Sequence, residues 1–262
     1  MKTSESSAIE LAERTWARVE SWSAHRLLGW AYRRYEDGIA IASAFGVDGI
    51  ALIDMAAQVW PQLRVFVLDT SFLFPETYRL IEQIETRYSI SVQRVLPALS
   101  PETQAESYGT ALWSRDPDLC CHLRKIEPLQ RQLAKLRAWV TSIRRDQTPQ
   151  RAHIRKIEWD AKFRILKINP LADWSRESIW QYVRERKLPY NPLHDRSFPS
   201  IGCTHCTRAV KTGEDSRAGR WPGFVKTECG LHTFTADTRR PTQEHDAPPD
   251  IRQTEPQLEP LP

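Results

Sequence analysis

The stretch IAIASAFGVDGIALIDMAAQV, residues 39–59, decides the fold. Residues 39–43 form a short apolar run that predicts a buried strand, and residues 49–59 predict a helix. The intervening turn, 44–48, contains a glycine. A buried strand that passes through such a turn into a helix is typical of the first unit of a parallel α/β sheet.

The same alternation continues outward from this unit. Residues 64–68 predict a second buried strand and residues 91–95 a third strand, and Pro75 is well placed in the first turn of a helix that ends near Tyr88. The remaining predicted elements are a helix over 8–36, a loop over 97–118, a helix over 120–136, a strand over 138–143, an antiparallel pair at 154–159 and 163–168, and a helix over 175–187. We therefore expect a single α/β domain with a doubly wound, mainly parallel sheet and helices on both faces, and with its ligands beyond the carboxyl ends of the strands.

The ends of the chain and its bulk composition limit the functional classes. The domain is expected over residues 1–236, and residues 237–262, which contain six of the eighteen prolines, predict a disordered tail. The net charge of +4 suits an anionic small molecule and does not indicate nucleic acid. We expect no export signal, no membrane span and a cytoplasmic location, where cysteines stay reduced.

Four of the five cysteines form two pairs, Cys120-Cys121 and Cys203-x-x-Cys206. Adjacent cysteines rarely reach one metal ion, whereas a cubane cluster offers each thiolate its own iron, and zinc prefers spaced pairs. The pattern favours a [4Fe–4S] cluster over a four-cysteine zinc site, with free or disulfide-bonded cysteines as the last interpretation.

The fifth cysteine, Cys229, lies in the segment Glu228-Cys-Gly-Leu-His232 among polar residues near the chain end. This setting favours a reactive thiol over an inert buried cysteine, and we expect the nearby His232 to favour its thiolate form.

Several segments have the composition of an anion pocket. The loop after the first strand, with Ser43, Phe45 and Gly46, opens a helix whose N-terminus can hold a phosphate, although an ordinary strand–helix turn would look the same. The other segments are Asp69-Thr70 at the end of the second strand, Arg124-Lys125 beside the cysteine pair, Arg144-Arg145-Asp-Gln147 after a later strand, and Arg217 with Arg220 between the CxxC motif and Cys229. Arginine pairs at such places suit bidentate recognition of phosphate or sulfate.

Taken in this order, the CC, CxxC and ECGLH motifs resemble those of the iron–sulfur adenylyl-sulfate reductases, within the wider phosphoadenylyl-sulfate reductase family. The resemblance runs from about Ile39 to His232. It implies an adenine nucleotide alpha-hydrolase-like fold and a [4Fe–4S] cluster on the four paired cysteines. The substrate-binding residues that it implies are Ser43, Phe45, Gly46, Asp69, Thr70, Lys125, Arg144, Arg145, Gln147, Arg217, Arg220 and His232.

The resemblance also implies a mechanism. Cys229 would attack the sulfur of adenosine 5′-phosphosulfate, and thioredoxin or a related dithiol protein would release sulfite from the resulting S-sulfocysteine. A homo-oligomer is left open.

The sequence departs from the family pattern at Ala44, where serine is usual, at Asp48, where glutamate is usual, and at Ser71-Phe72, where Gly-Arg is usual. These departures leave open a preference for the 3′-phosphorylated nucleotide. Two other interpretations are an RNA thiolase of the ATP-pyrophosphatase type, which would need a fuller phosphate loop, and a zinc interaction module without catalysis.

Overall fold

The fold is organised around one six-stranded sheet in a computed structural model that describes residues 5–232. The strands are β1 (Ile39–Ala42), β2 (Val65–Leu68), β3 (Val92–Val95), β4 (Ala138–Val140), β5 (Ile157–Asp160) and β6 (Ile165–Ile168). Their order across the sheet is β3-β2-β1-β4-β6-β5, and all neighbours are parallel except β5 and β6. The expected mainly parallel sheet and the antiparallel pair are confirmed.

The two faces of the sheet pack against different helices. These are α1 (Glu5–Val19), α2 (Ala24–Tyr35), α3 (Val47–Ala57), α4 (Pro75–Tyr88), α5 (Pro101–Tyr108), α6 (Leu112–Arg115), α7 (Pro117–Cys121), α8 (Glu127–Leu133) and α9 (Arg176–Glu185). Side chains alternate between the faces of a strand, so Ile39 and Ile41 of β1 join one core and Ala40 joins the other. The first core includes residues of α2, α3, α4 and α9, and the second includes Leu129 and Leu133 of α8, as the doubly wound prediction requires.

Two predicted elements differ from the structure. The helix expected over 8–36 is broken at residues 20–23, because the Ser23 side chain caps a new helix by accepting a hydrogen bond from the Arg26 amide. The loop expected over 97–118 is wrong, since it contains α5, α6 and the start of α7. Ser100 and Asp116 each cap a helix that begins at a proline.

The helix expected over 120–136 starts earlier, at Pro117, and ends at Leu133. It contains a π-helical turn, His122–Ile126, directly after the cysteine pair. Such turns often lie at functional sites because the extra residue changes the direction of the side chains that follow.

Helix α3, which begins after the loop at 43–46, is attached to its neighbours by the buried carboxylate of its own Asp54. Asp54 is 2% exposed and accepts hydrogen bonds from Tyr88 of α4 and from Tyr182 of α9, both 2.6 Å long. It also forms an ion pair with Arg186. These contacts fix α3 to two neighbouring helices and so fix the loop at its start.

No helix within residues 5–232 is long and apolar enough to cross a membrane. Residues 237–262, predicted to form a disordered tail, lie outside the described residues.

Candidate active site

A cleft of about 480 Å³ lies at the carboxyl ends of three adjacent strands, β2, β1 and β4. The loops after these strands bring Ser43, Thr70 and Arg144 to its wall. The strand order therefore gathers residues from three distant parts of the chain, as expected for a ligand site in a parallel sheet.

The loop after β1 is built around Ser43. Its hydroxyl accepts a hydrogen bond from the Phe45 amide at 3.1 Å, and Phe45 has a left-handed backbone with φ of 56°. A left-handed conformation at a non-glycine residue is uncommon and is often found at functional sites. Gly46 caps α3, so the amide groups of the first turn of α3 open toward the cleft that Gly46 and Ser43 line. The Phe45 side chain is buried and is not part of the cleft wall.

The loop after β4 is tied to this first loop. Arg144 forms ion pairs with Asp48 and Asp146, and Gln147 donates to Asp48 at 3.1 Å. Arg144, Gln147 and Asp48 all line the cleft. Arg144 is only 4% exposed, so its charge faces the cleft from a site shielded from solvent.

Two of the sequence-predicted substrate residues have other contacts. Asp69 accepts hydrogen bonds from the Ser71 amide and from the Tyr78 hydroxyl, and does not line the cleft. Arg145 forms an ion pair with Glu20 and also lies off the cleft wall. Their roles in substrate binding stay predictions.

The four paired cysteines converge although about 80 residues separate the two pairs. All four are buried and line one small cavity, with Cys203 also reaching the main cleft. Backbone contacts join the segments, since Cys203 bridges to Leu73 and its sulfur lies 3.3 Å from the Thr70 hydroxyl.

Three of the four thiols, those of Cys120, Cys121 and Cys206, have a raised pKa. Burial, followed by the charges of the neighbouring thiolates, raises the pKa of Cys120 to about 12, and burial raises the pKa of Cys206 to about 11. Without a bound cation the buried thiols would stay protonated, so a thiolate set here requires compensating positive charge. Within residues 5–232 no three His, Cys, Asp or Glu side chains surround one point as a single metal ion requires. Four cysteine sulfurs that line one cavity have the donor chemistry that an iron–sulfur cluster takes.

Aromatic side chains enclose the cysteine cavity. Trp113 of α6 stacks on His205, which lies inside the CxxC motif, and Phe72 meets both rings edge-on. On the other side, Arg124 lies over the Phe72 ring and donates to the Thr70 carbonyl at 2.9 Å. The enclosure keeps water from the sulfurs and holds a cation near them.

Lys125 connects the two cavities, because it lines both the cleft and the cysteine cavity. Burial acts to lower the pKa of Lys125, but the charges of Cys203, Cys121 and Cys229 outweigh burial and raise it. Thiolates at these positions would therefore favour the charged form of Lys125, which lies between the cysteines and the cleft.

The reactive-thiol candidate, Cys229, lies on the cleft wall and packs against the group of Cys121, Cys203, Cys206 and Trp221. Its segment continues through Gly230, whose carbonyl accepts a hydrogen bond from Lys162 at 2.7 Å. The thiol thus faces the same space as the basic side chains.

His232 stacks on Trp139 with 5.7 Å between ring centroids. Burial, and then the charges of Lys167, Arg151 and other nearby cations, lowers the pKa of His232 well below its usual range. A neutral imidazole cannot stabilise a thiolate by its charge, contrary to the expectation from sequence. It remains on the cleft wall, and its substrate role stays a prediction.

Arg217 and Arg220 also line the cleft. Both guanidinium groups approach the Ser200 hydroxyl, at 3.5 and 3.2 Å, and Arg220 lies over the Trp221 ring. Gly202 makes room for this arrangement, since a side chain there would overlap the Arg220 guanidinium. Arg217 also lies 3.6 Å from the Glu228 carboxylate, and the two guanidinium groups together suit an anion.

Sequence reasoning missed the pair of Arg151 and Glu228. Arg151 lines the cleft and donates to both oxygens of Glu228, at 2.9 and 2.7 Å. Glu228 belongs to the Cys229 segment and Arg151 follows the Arg144–Gln147 segment. The two positions are 77 residues apart, and a single sequence does not show that they form a pair.

Comparison with known proteins gives a consistent family. Residues 38–209 match the family described as the phosphoadenosine phosphosulfate reductase domain. An adenosine 5′-phosphosulfate reductase of Halalkalibacterium halodurans is 50% identical over 207 residues, which cover 79% of this chain and 90% of that protein. A phosphoadenosine 5′-phosphosulfate reductase of Gloeobacter violaceus is 44% identical over 227 residues, covering 86% and 93% of the two chains.

A solved structure with the same fold is the phosphoadenylyl-sulfate reductase of Candida auris in a phosphate complex. It has a TM-score of 0.68 and 29% identity, and covers 77% of this chain and 97% of that chain. An FMN adenylyltransferase of Candida glabrata, with a TM-score of 0.52 and 18% identity over 80% and 78% of the chains, shares the fold alone. The resemblance drawn from the cysteine motifs is confirmed: the chain belongs to the phosphoadenosine phosphosulfate reductase family.

Proposed function

We propose that the protein is an adenylyl-sulfate reductase that converts adenosine 5′-phosphosulfate to sulfite and AMP. The observation that carries this proposal is the position of Cys229, on the wall of a cleft that Lys125, Arg217 and Arg220 also line. A nucleophilic thiol beside three cations suits an anionic substrate with an electrophilic sulfur. Relatives named adenosine 5′-phosphosulfate reductase, 50% and 46% identical to this chain, support the same substrate.

In the first step the Cys229 thiolate attacks the sulfur of the sulfuryl group. An S–S bond forms, the bond from that sulfur to the phosphate oxygen breaks, and AMP leaves with the electron pair. Lys125, Arg217 and Arg220 would hold the sulfuryl oxygens, while Ser43 and the amide groups at the start of α3 would hold the phosphate.

In the second step a dithiol protein such as thioredoxin supplies two electrons. Its thiolate attacks the Cys229 sulfur, sulfite leaves with the S–S electron pair, and a mixed disulfide forms. The second thiol of the partner then releases Cys229 as a thiolate. An external dithiol is needed because the other four cysteines are the cluster ligands that we propose next.

Cys120, Cys121, Cys203 and Cys206 would hold a [4Fe–4S] cluster, since they line one cavity and need compensating charge as thiolates. When bound, the cluster would supply iron to the four thiolates and a charged group beside Lys125. We assign it no redox step. Lys125 would then stand between the cluster and the sulfuryl group and orient the latter through charge-assisted hydrogen bonds.

A second candidate substrate is the 3′-phosphorylated nucleotide. A relative named phosphoadenosine 5′-phosphosulfate reductase is 44% identical to this chain, and Asp48 departs from the family pattern inside the phosphate loop. The two nucleotides differ by one phosphate group, so relative kcat/KM values separate them.

The experiment is a sulfite-release assay with thioredoxin and each nucleotide, using the wild type and Cys229→Ser. We expect sulfite from adenosine 5′-phosphosulfate with the wild type alone, and one added sulfonate on the Cys229 peptide when thioredoxin is omitted. The serine variant should keep its iron and bind the nucleotide, because the cations and not the thiol hold the anion. A sulfonate on another residue, or sulfite from the serine variant, would overturn the assignment.

We place this reaction in sulfate assimilation and cysteine biosynthesis. The five cysteines of the protein need to stay reduced for it, which suits the cytoplasm.

A further inference from the structure

The residue immediately before Cys229 is clamped by an arginine. Glu228 accepts hydrogen bonds from Arg151 Nε at 2.9 Å and from Arg151 Nη2 at 2.7 Å, one on each carboxylate oxygen. This is the planar, two-bond geometry that arginine forms with carboxylates. Thr148 adds a third hydrogen bond at 3.3 Å.

The pair is shielded from solvent, with side-chain exposures of 9% for Arg151 and 15% for Glu228. Shielding strengthens an ion pair relative to one on the surface. Arg217 Nη2 lies 3.6 Å from the same carboxylate and donates to the Thr227 carbonyl at 2.8 Å. The carboxylate therefore sits between an arginine of the cleft wall and the loop after β4.

That loop has a fixed position. It forms two short 3₁₀ turns, Arg145–Gln147 and Pro149–Arg151. Gln147 contacts both Arg151 and Asp48, which lies in the first turn of α3. Arg151 and Gln147 thus connect the Glu228 carboxylate to the loop after β1 and the start of α3.

The segment that carries Cys229 has no regular secondary structure from residue 222 to residue 232. Its position consequently depends on side-chain contacts. After Cys229, the Gly230 carbonyl binds Lys162 and His232 stacks on Trp139. Before Cys229, the segment is attached by the Glu228–Arg151 pair, by Arg217 at the Thr227 carbonyl and by the ion pair of Lys226 with Asp118.

We propose that Glu228 is a positioning residue and that its ion pair with Arg151 is a latch that holds Cys229 against the cleft for attack on the sulfuryl group. The catalytic part of this inference rests on the proposed function. The latch itself is a property of the free protein and can be measured without substrate.

The first measurement is the rate at which iodoacetamide alkylates Cys229 in the iron-loaded protein, followed by peptide mass spectrometry. The variants are Glu228→Gln, Glu228→Asp and Arg151→Gln. Glu214→Gln is the control, because it breaks a half-buried ion pair with Arg208 in the same part of the chain and away from the cleft wall. Rates are compared at the alkaline plateau, where the thiol is fully ionised and the rate reports access alone.

We expect Glu228→Gln and Arg151→Gln each to raise the plateau rate about fivefold or more, since each loses a charge-assisted two-bond contact. The double variant should be no faster than the faster single variant, because both changes open one latch. Glu228→Asp, which keeps the charge on a shorter side chain, should fall between the wild type and Glu228→Gln, and Glu214→Gln should match the wild type.

The second measurement is the single-turnover rate of Cys229 sulfonation by adenosine 5′-phosphosulfate without a dithiol, together with the nucleotide affinity. We expect Glu228→Gln to slow sulfonation about tenfold, the effect of one lost charge-assisted contact, and to change affinity less than threefold. Partial recovery in Glu228→Asp is expected.

Unchanged alkylation in Glu228→Gln and Glu228→Asp would overturn the latch. So would a loss of nucleotide affinity with unchanged alkylation, which would place Glu228 among the substrate contacts. If no variant, the wild type included, becomes sulfonated while alkylation rises as expected, the latch stands and the proposed function fails.

Discussion

Trp113 and His205 stack face to face, with 3.9 Å between ring centroids and 11° between ring planes. Trp113 comes from α6, before the adjacent cysteines, and His205 lies between the two cysteines of the CxxC motif. One ring contact therefore closes the cavity across both halves of the cysteine set. The contact places His205 at the cavity wall.

Trp113→Ala should make the proposed cluster sensitive to air. Opening the wall admits oxygen and water to the sulfurs, so we expect visible absorbance to bleach about threefold faster in air, since the apolar shell controls solvent access. Iron content under anaerobic conditions should equal that of the wild type. Trp16→Ala is the control, because Trp16 of α1 lies under the Arg155 guanidinium and is not part of the cavity wall. Equal bleaching in both variants would show that the stack does not shield the cavity.

Cys121→Ser should lose iron and sulfide while keeping the sheet folded. A hydroxyl is a poor ligand for iron, and Cys121 is buried with the other three cysteines. The measurement is iron and sulfide analysis alongside far-UV circular dichroism. Cys229→Ser is the matched control and should keep its full iron content. Full iron and sulfide in Cys121→Ser would remove this residue from the ligand set.

Arg220→Ala should raise the KM for the nucleotide about tenfold or more, because a charge-assisted contact contributes about 1.5–3 kcal/mol. Arg217→Ala should raise KM similarly and also lower kcat, since Arg217 contacts Thr227 and lies near Glu228. Steady-state kinetics with iron analysis separates these effects from cluster loss. Arg208→Ala, which removes a half-buried ion pair with Glu214 away from the cleft wall, should have the KM of the wild type. Unchanged KM in both cleft variants would place these arginines outside the binding site.

Asp54 should make stability depend on pH in the acid range. Burial acts to raise the pKa of Asp54, but hydrogen bonds from Arg186, Tyr182 and Tyr88 lower it overall. A lowered pKa in the folded state means that the stabilisation is complete above the unfolded value of about 3.9 and is lost as pH falls through the folded value.

Asp54→Asn should therefore reduce the free energy of unfolding by about 2 kcal/mol at pH 7, through the lost ion pair and hydrogen bonds. The difference from the wild type should shrink below about pH 4 as the wild-type carboxyl becomes protonated. Urea titrations at several pH values test this. Glu10→Gln, which breaks an exposed pair with Arg14, should change stability by less than about 1 kcal/mol. A pH-independent difference for Asp54→Asn would contradict the assignment.

The central part of the sheet could be predicted because its strands are buried on both faces. Residues 39–43 and 64–68 are short, mostly apolar runs, and each contains a buried strand, whereas 91–95 contains the edge strand β3, in which Gln93 and Arg94 are exposed. The helices in the region 97–118 were harder to predict, because α6 has four residues and α7 has five. Helices that short show no 3.6-residue periodicity, and only the Ser-Pro and Asp-Pro capping signals mark them.

The site could be predicted to the level of residue types and strand ends. Motif order placed Ser43, Thr70 and Arg144 at one edge of the sheet, and the structure brings them to one cleft. The partners of individual side chains could not be predicted, because they depend on tertiary packing between distant segments. Arg144 and Arg145 are adjacent in sequence, yet one faces the cleft and the other pairs with Glu20 of the loop after α1.

The convergence of the two cysteine pairs has a consequence for chain entropy. Cys121 and Cys203 are about 80 residues apart, and the intervening chain contains β4, β5, β6 and α9. A bound cluster would close this long loop by covalent bonds, and a cross-link over such a loop stabilises a protein by roughly 4–5 kcal/mol in the chain-entropy description. The segment that contains β4, β5 and β6 would then be cross-linked at both ends through iron–sulfur bonds. Oxidative loss of iron would therefore lower the melting temperature of the whole domain along with its activity.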